Sequence, residues 1–423
     1  MDPFAHPRLR PDVEFAAGRP EEPEQALLYD PAQRDLFELE AQDLALLRLL
    51  DGSRTPQEVA RQAGRPLDQV WDLLDDLSDV LLLEDPEQED LLEALRCQHE
   101  EEDLLLQPVL DSRPAPDLAG LPVLVVDEAG HTCRRCGACC HYAVPVSPQE
   151  RHRLEQVEWP EEIIPPEAGR LFQVRPGTQW GRLEGTIATR SGPTRCAFLD
   201  EEMLCRVQAC LGAAAKPFAC RLFPLAFPVL TAAGLLFSLT FECPYLFQTY
   251  GTGERLARRP EELRALAAEM EELYTLPAEI ALDGERSWEL ARYLAWEEGI
   301  PGEMAAAATR PAAALEALQR HWATTSALPG PLPTADESAR LARFVQHFIA
   351  GKQHLLYPSL WLGLRALAAL LLLARIDAAM MEREAGRAEA APEALNRALA
   401  RWCRLLDVRP FRLAFLQAAG RPA

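Results

Sequence analysis

Four cysteines within eight residues, Cys133-Arg-Arg-Cys136-Gly-Ala-Cys139-Cys140, are the densest concentration of reactive side chains in this sequence. Two cysteines separated by two residues turn their sulfurs to one side of a tight bend, which suits a metal with thiolate bonds of about 2.3 Å. Three in that register also suit a cubane iron–sulfur cluster. Gly137 relaxes the backbone where the chain must bend. Neighbouring side chains diverge, so one of Cys139 and Cys140 serves a second metal or remains a free thiol. Downstream lie Cys196 and Cys205 at the two ends of CAFLDEEMLC, Cys220 in KPFACRLFP and Cys243 in FECP. With the first four they make eight sulfurs, enough for two four-thiolate sites or for one cluster plus a structural zinc. Cys210 is a ninth candidate, placed second to these. His131 and His141 bracket the run; each offers an imidazole nitrogen, with a solvated or hydrogen-bonded role as the alternative.

The charge beside these sulfurs argues the same way. The chain carries 43 basic and 65 acidic residues, a net charge of −22. Yet arginine stands directly beside five of the cysteines: Arg134 and Arg135 flank Cys133 and Cys136, Arg195 precedes Cys196, Arg206 follows Cys205 and Arg221 follows Cys220. Cations stabilise thiolates, and a four-thiolate site around a divalent metal keeps negative charge that needs a counter-ion. Lys216 and Arg221 are candidates for binding an anionic cofactor or substrate, with charge balance at the metal as the alternative. No residue is assigned a catalytic role. There is no Walker-type phosphate loop, no GxSxG elbow and no HExxH zinc helix.

Of 11 cysteines, nine fall between residues 133 and 243, leaving Cys97 and Cys403 outside. In a reducing compartment that crowding points to metal or thiol chemistry before structural disulfides. The first 25 residues hold no apolar run for a secretory core, so the expected location is the cytoplasm. The acidic surface repels phosphate backbones and anionic lipid, so neither nucleic acid nor membrane is an expected partner. The longest greasy stretch, residues 366 to 374, is closed by Arg365 and Arg375 and falls far short of the roughly 20 residues of a membrane helix. It reads as a buried helix.

These sites need elements to position them, and the expected fold is mainly α, in three parts. Residues 1–26 read as disordered. Residues 27–110 read as a small winged-helix-like domain: strands around Leu27 to Asp30 and Asp35 to Leu39, a helix with Leu44, Leu47 and Leu50 inward and stopped at Asp51-Gly52, and a second begun by Thr55-Pro56. A third helix from Pro66 buries Val70, Leu73, Leu74 and Leu77, and Val80 to Leu83 return as a strand. That third helix carries Asp68, Asp72, Asp75, Asp76 and Asp79, which argues against a phosphate backbone. An acidic helix spans 86–106, and Pro114 and Pro116 mark a linker over 111–117. An irregular cysteine-rich domain occupies 119–250, with a capping box at Ser147-Pro-Gln-Glu150. Residues 254–423 read as an all-α domain with helices near 254–274, 284–298, 301–322, 335–352, 357–386 and 392–406, divided by the proline-rich link at 328–333.

The combined motif CxxCGxCC, CxFLD, LCRV, GxxxKPxACRLFP and CP over residues 131–246 resembles the YkgJ-type cysteine-cluster family of zinc- or iron-chelating proteins. The resemblance implies a metal or iron–sulfur centre at the matched cysteines. Flagellin lysine N-methylases are related to that family but open with a wider first spacing. Related sequences often carry a His in the segment that here reads Cys205-Arg-Val-Gln-Ala-Cys210; Gln208 stands at that place, and Cys210 is a substitute ligand. Residues 27–85, LYDP…FELE…LLRLLDG…TPQEVA…VWDLL, resemble PqqD-like domains that capture leader peptides of modified peptides, a packing role being the alternative. Three functions follow as expectations: a metalloprotein of peptide or protein modification, with the N-terminal module presenting a polypeptide; a non-enzymatic metal chelator or carrier; or a structural metal in an interaction protein. An iron–sulfur cluster is preferred over zinc, and lysine N-methylation is a more distant option.

Overall fold

The computed structural model describes residues 4–16, 25–126, 129–140, 144–160, 163, 171–176, 183–187, 189–190, 195–253, 255–308, 335–386, 392–406, 411–414 and 416. They divide into two compact units, one of Met1–Asp103 with Val174–Glu184, the other of Leu104–Gln173 with Gly185–Ala423.

In the first unit an antiparallel sheet, Glu14–Ala16, Gln25–Asp30 and Asp35–Glu40 in that order, precedes helices Ala41–Leu47, Pro56–Ala63 and Leu67–Asp79. The second helix starts as its sequence dictates. The Thr55 hydroxyl accepts from the Glu58 N–H, the Glu58 carboxylate accepts from the Thr55 N–H, and Gly64 at φ 68° ends the helix. Val59, Val70, Leu74 and Leu77 are buried as the 3.6-residue period requires, while Leu46 and Leu47 carry the inward face of the first helix. All five aspartates of the third helix are exposed.

Two expectations are corrected here. The described part of the chain's start is ordered: Arg8 and Leu9 form bridges to Asp51 and Leu83, and residues 14–16 pair with 27–29. Few apolar residues announce this, because a buried ion pair of Arg10 with Asp30 does much of the anchoring. The strand expected at Val80 to Leu83 shrinks to that single bridge at Leu83, because residues 8–10 supply its partner.

The second unit combines long helices with a five-stranded sheet. Asp111–Pro114, Glu272–Thr275, Val229–Thr231, Gly234–Phe237 and Val123–Val125 lie in that order, antiparallel at the first pair and at the central hairpin and parallel elsewhere. The linker expected over 111–117 is therefore in part an edge strand. Pro114 is tolerated because an edge strand has ladder positions that need no donor. The C-terminal region is not all-α: Glu272–Thr275 joins the sheet, and Glu279–Ala281 pairs with Ser287–Glu289. One sheet thus takes strands from both sides of the boundary expected near residue 250.

Helices Leu290–Ala308, Ala335–Ala350, Leu360–Glu384 and Pro392–Leu406 pack on this sheet through a large apolar core. The greasy stretch is a buried face of the third of these, with Ala366, Leu367, Leu370 and Ala374 at most 1% exposed. Among the described residues no helix is long and apolar enough to cross a membrane. The link at 328–333, and the part of the expected 301–322 helix beyond residue 308, lie outside the described residues.

Candidate metal centre

The cysteine run is shaped by two left-handed residues, Arg135 at φ 54° and Gly137 at φ 68°, followed by a 3₁₀ turn over Ala138–Cys140. The turn closes when the Cys140 N–H donates to the Gly137 carbonyl at 2.8 Å. The Arg135 N–H donates to Cys133 Sγ at 3.4 Å. Gly137 lies against the next cysteine element: a β-carbon there would come within 2.9 Å of Met203 Sδ and 3.0 Å of Leu199 Cδ2.

That element is a tight hairpin holding Cys196 and Cys205 at its two ends. The Leu199 N–H donates to the Cys196 carbonyl, Asp200 N–H to the Leu204 carbonyl and Arg206 N–H to the Phe198 carbonyl, at 2.8 to 3.0 Å. Leu199 is bridged to Cys205. Cys220 follows on the short helix Phe218–Leu222, whose first N–H donates to Glu150 Oε1 at 2.5 Å. Glu150 is the third helical residue of the expected capping box at Ser147, so one carboxylate ties that helix to the Cys220 helix. Cys140, Cys205 and Cys220 pack on one apolar cluster that includes Cys196, Phe198 and Val207. Cys243 stands elsewhere, against the large core.

Cys139 and Cys140 have their sulfurs 3.9 Å apart. The edge of a tetrahedron with 2.3 Å bonds is about 3.8 Å, so this spacing is also that of two ligands of one ion. The hydrogen bond from Cys140 lowers the Cys139 thiol to about 6 and pushes the Cys140 thiol upward. Burial raises Cys196 and Cys220 to about 12 and Cys243 to about 11. The sulfurs felt at Cys220 are those of Cys196, Cys205 and Cys139; those felt at Cys243 are Cys136, Cys139 and Cys133. Cys139 is common to both sets, and Cys140 in turn feels Cys139, Cys196 and Cys220. As the side chains stand, no three His, Cys, Asp or Glu residues among the described ones are gathered closely enough to grip an ion.

The surroundings fit a negatively charged guest. The Lys216 ammonium acts on Cys139, Cys196 and Cys220. Arg195 and Arg206 each keep a buried Nε without a hydrogen-bond partner among the described residues, beside Cys196 and Cys205; thiolate or sulfide sulfur would supply the missing acceptor. Arg221 is otherwise engaged, its guanidinium paired with Glu269 at 2.6 Å and its Nε donating to the Lys216 carbonyl. It also lies within electrostatic reach of Cys220. Arg404 has no signal in the local sequence: it arrives from the helix Pro392–Leu406, donates to the carbonyl of Glu242 at 2.5 Å and acts electrostatically on Cys139. Met203, which walls the Gly137 turn, was likewise not singled out from sequence.

Of the other candidates, His131 Nδ1 meets the Thr249 hydroxyl at 2.7 Å, and burial lowers its pKa, which favours the hydrogen-bonded role. Cys210 is exposed on the helix Arg206–Leu211. His141 lies outside the described residues. All eleven thiols are free of disulfides.

The raised thiols make a testable statement about protons. Zinc added at pH 7 to the reduced, metal-free protein should release roughly three to four protons per four-thiolate site, and affinity should rise with pH. An indicator dye in weak buffer reads this; release near zero would show that no thiol proton is displaced. Metal-free stability runs the other way. The folded thiols at about 11 to 12 keep protons that unfolded thiols lose near about 8.5. Their contribution is therefore intact below about pH 8.5 and falls as pH climbs toward about 12.

Residues 132–244 match the model of the CxxCxxCC family, described as "Putative zinc- or iron-chelating domain". The match covers less than half of the chain and encloses all eight cysteines, in line with the resemblance carried by their spacing. It supports zinc or iron at this cluster. No curated protein and no solved structure matches the chain.

Proposed function

We propose that this protein binds iron or zinc through thiolates of Cys133, Cys136, Cys139, Cys140, Cys196, Cys205, Cys220 and Cys243, with an iron–sulfur cluster preferred. The observation that carries the reading is convergence: residues up to 110 positions apart in sequence present sulfurs that feel one another's charge. The exposed Arg135 N–H donates to Cys133 Sγ, a bond that a thiolate accepts more strongly than a thiol. A bound cluster supplies electron transfer or Lewis-acid chemistry; Lys216, Arg195, Arg206 and Arg404 balance its charge. Eleven free thiols fit a reducing compartment, and we assign the protein to the cytoplasm.

Anaerobic purification with metal analysis tests this. Iron with broad absorbance near about 400 nm is the expected result; colourless protein with stoichiometric zinc would replace the cluster by zinc, and metal-free protein would overturn the reading.

A second reading gives the first unit a polypeptide-presenting role in peptide or protein modification. It is supported by the strand–strand–helix–helix–helix order over residues 25–79, which agrees with the PqqD-like resemblance. A peptide pull-down that retains nothing removes it. If a peptide is retained, deleting residues 1–90 should abolish capture while metal stays bound.

A further inference from the structure

We propose that Cys139 and Cys140 are a redox switch on the metal centre: a small-molecule disulfide joins their two sulfurs in a vicinal disulfide, which withdraws both from metal binding until a thiol reduces it. This rests on the metal-binding reading above and adds a control to it.

The turn supplies the geometry. Neighbouring side chains ordinarily diverge, and the cysteine spacing led to that expectation here. The left-handed Arg135 and Gly137, with the bond from the Cys140 N–H to the Gly137 carbonyl, fold the run otherwise, and the two sulfurs lie 3.9 Å apart. A covalent S–S bond is about 2.05 Å long, so the sulfurs must close by only about 2 Å. The pair is also unequal in access: Cys139 is exposed, whereas Cys140 packs against the apolar cluster of the Cys196 hairpin. An oxidant therefore meets Cys139 first. Lys216 and Arg404 act on that sulfur from two other segments, and cations draw in an anionic disulfide such as that of glutathione.

The chemistry balances in two exchanges. Cys139 attacks one sulfur of the oxidant, which breaks the oxidant's S–S bond, makes a mixed disulfide and expels one thiol carrying the Cys139 proton. Cys140, its sulfur 3.9 Å away, then attacks Cys139. The mixed bond breaks, the Cys139–Cys140 bond forms and the second thiol leaves with the Cys140 proton. The two cysteines give up two electrons, and the small disulfide is reduced to two thiols.

Adjacency makes the bond reversible. Neighbouring α-carbons are fixed about 3.8 Å apart across a trans peptide, below the roughly 4.4–6.8 Å that disulfides usually span. Strained, accessible disulfides are the labile and regulatory ones, so this bond opens once reduced thiol is restored. While closed, it removes thiolates that a metal needs, among them Cys139, whose charge reaches Cys196, Cys220 and Cys243.

For the test, the full chain is purified without oxygen, freed of metal with a chelator and divided. One half stays reduced; the other is incubated with glutathione disulfide, and the excess is removed. The reduced half should take up zinc. The oxidised half should carry a Cys139–Cys140 bond, located by fragmenting the peptide that follows Arg135, lose most of its zinc uptake and regain it with dithiothreitol. In Cys140→Ser the reaction should stop one step earlier and leave glutathione on Cys139; in Cys136→Ser the Cys139–Cys140 bond should still form. Either variant can misfold, so the wild-type comparison decides by itself. No bond between the pair, glutathione retained on wild-type Cys139, or zinc uptake unchanged by the bond overturns the switch and leaves metal binding intact. A reduced half that takes up no zinc overturns both.

Discussion

Arg10→Ala should destabilise the N-terminal unit by about 3–5 kcal/mol, because it strips the partner from a buried carboxylate. Asp30 is fully buried, and it receives the Arg10 guanidinium together with the Ala32 N–H at 2.9 Å and the Gln33 side chain. Arg10 also donates to the Leu81 carbonyl at 2.6 Å. One side chain thus ties the chain's start to the sheet and to the end of the third helix. Hydrogen exchange should quicken by roughly a hundred- to several-thousand-fold across residues 25–83. Replacing Arg10 and Asp30 together by Met and Leu should recover most of the loss, since a buried pair is far less costly to exchange than to break. Unchanged exchange in Arg10→Ala would mean that the pair is not closed in solution.

Gly137→Ala should cost about 2–5 kcal/mol in the metal-loaded protein and lower its metal content. A left-handed conformation costs a residue with a β-carbon roughly 1–2 kcal/mol, and crowding a packed site adds roughly 1–3 kcal/mol. Here φ is 68°, and the new carbon would meet both Met203 and Leu199. The turn would have to lift away from the hairpin of Cys196 and Cys205, separating Cys140 from its neighbours. Pairing the change with Met203→Ala, which empties the nearer obstruction, should restore part of the metal; metal content unaffected by Gly137→Ala alone would show that the turn and hairpin do not meet.

Local rules read well where the cause is local. The Thr55 and Ser147 capping boxes, the inward Val70, Leu74 and Leu77, and the buried helix around Ala366 to Ala374 follow from spacing alone. The cysteine cluster was legible as a family motif for the same reason, since its spacing is a chain-local signal and residues 132–244 match the family model. Long-range pairing was not. Nothing in DSRP says that it lies beside Glu272–Thr275, and nothing in residues 8–16 says that a charge 20 positions on will hold them. Short strands such as ELYT carry too few alternations to stand out in a helical region, so the C-terminal part looked all-helical. At the site, Arg404 and Met203 owe their roles to approach in space, to which composition is blind.

Whether these sulfurs grip a metal is decided by X-ray absorption at the metal edge of the anaerobically purified protein. About four sulfurs per metal at about 2.3 Å are expected. A shell of nitrogen and oxygen alone would contradict binding by these sulfurs.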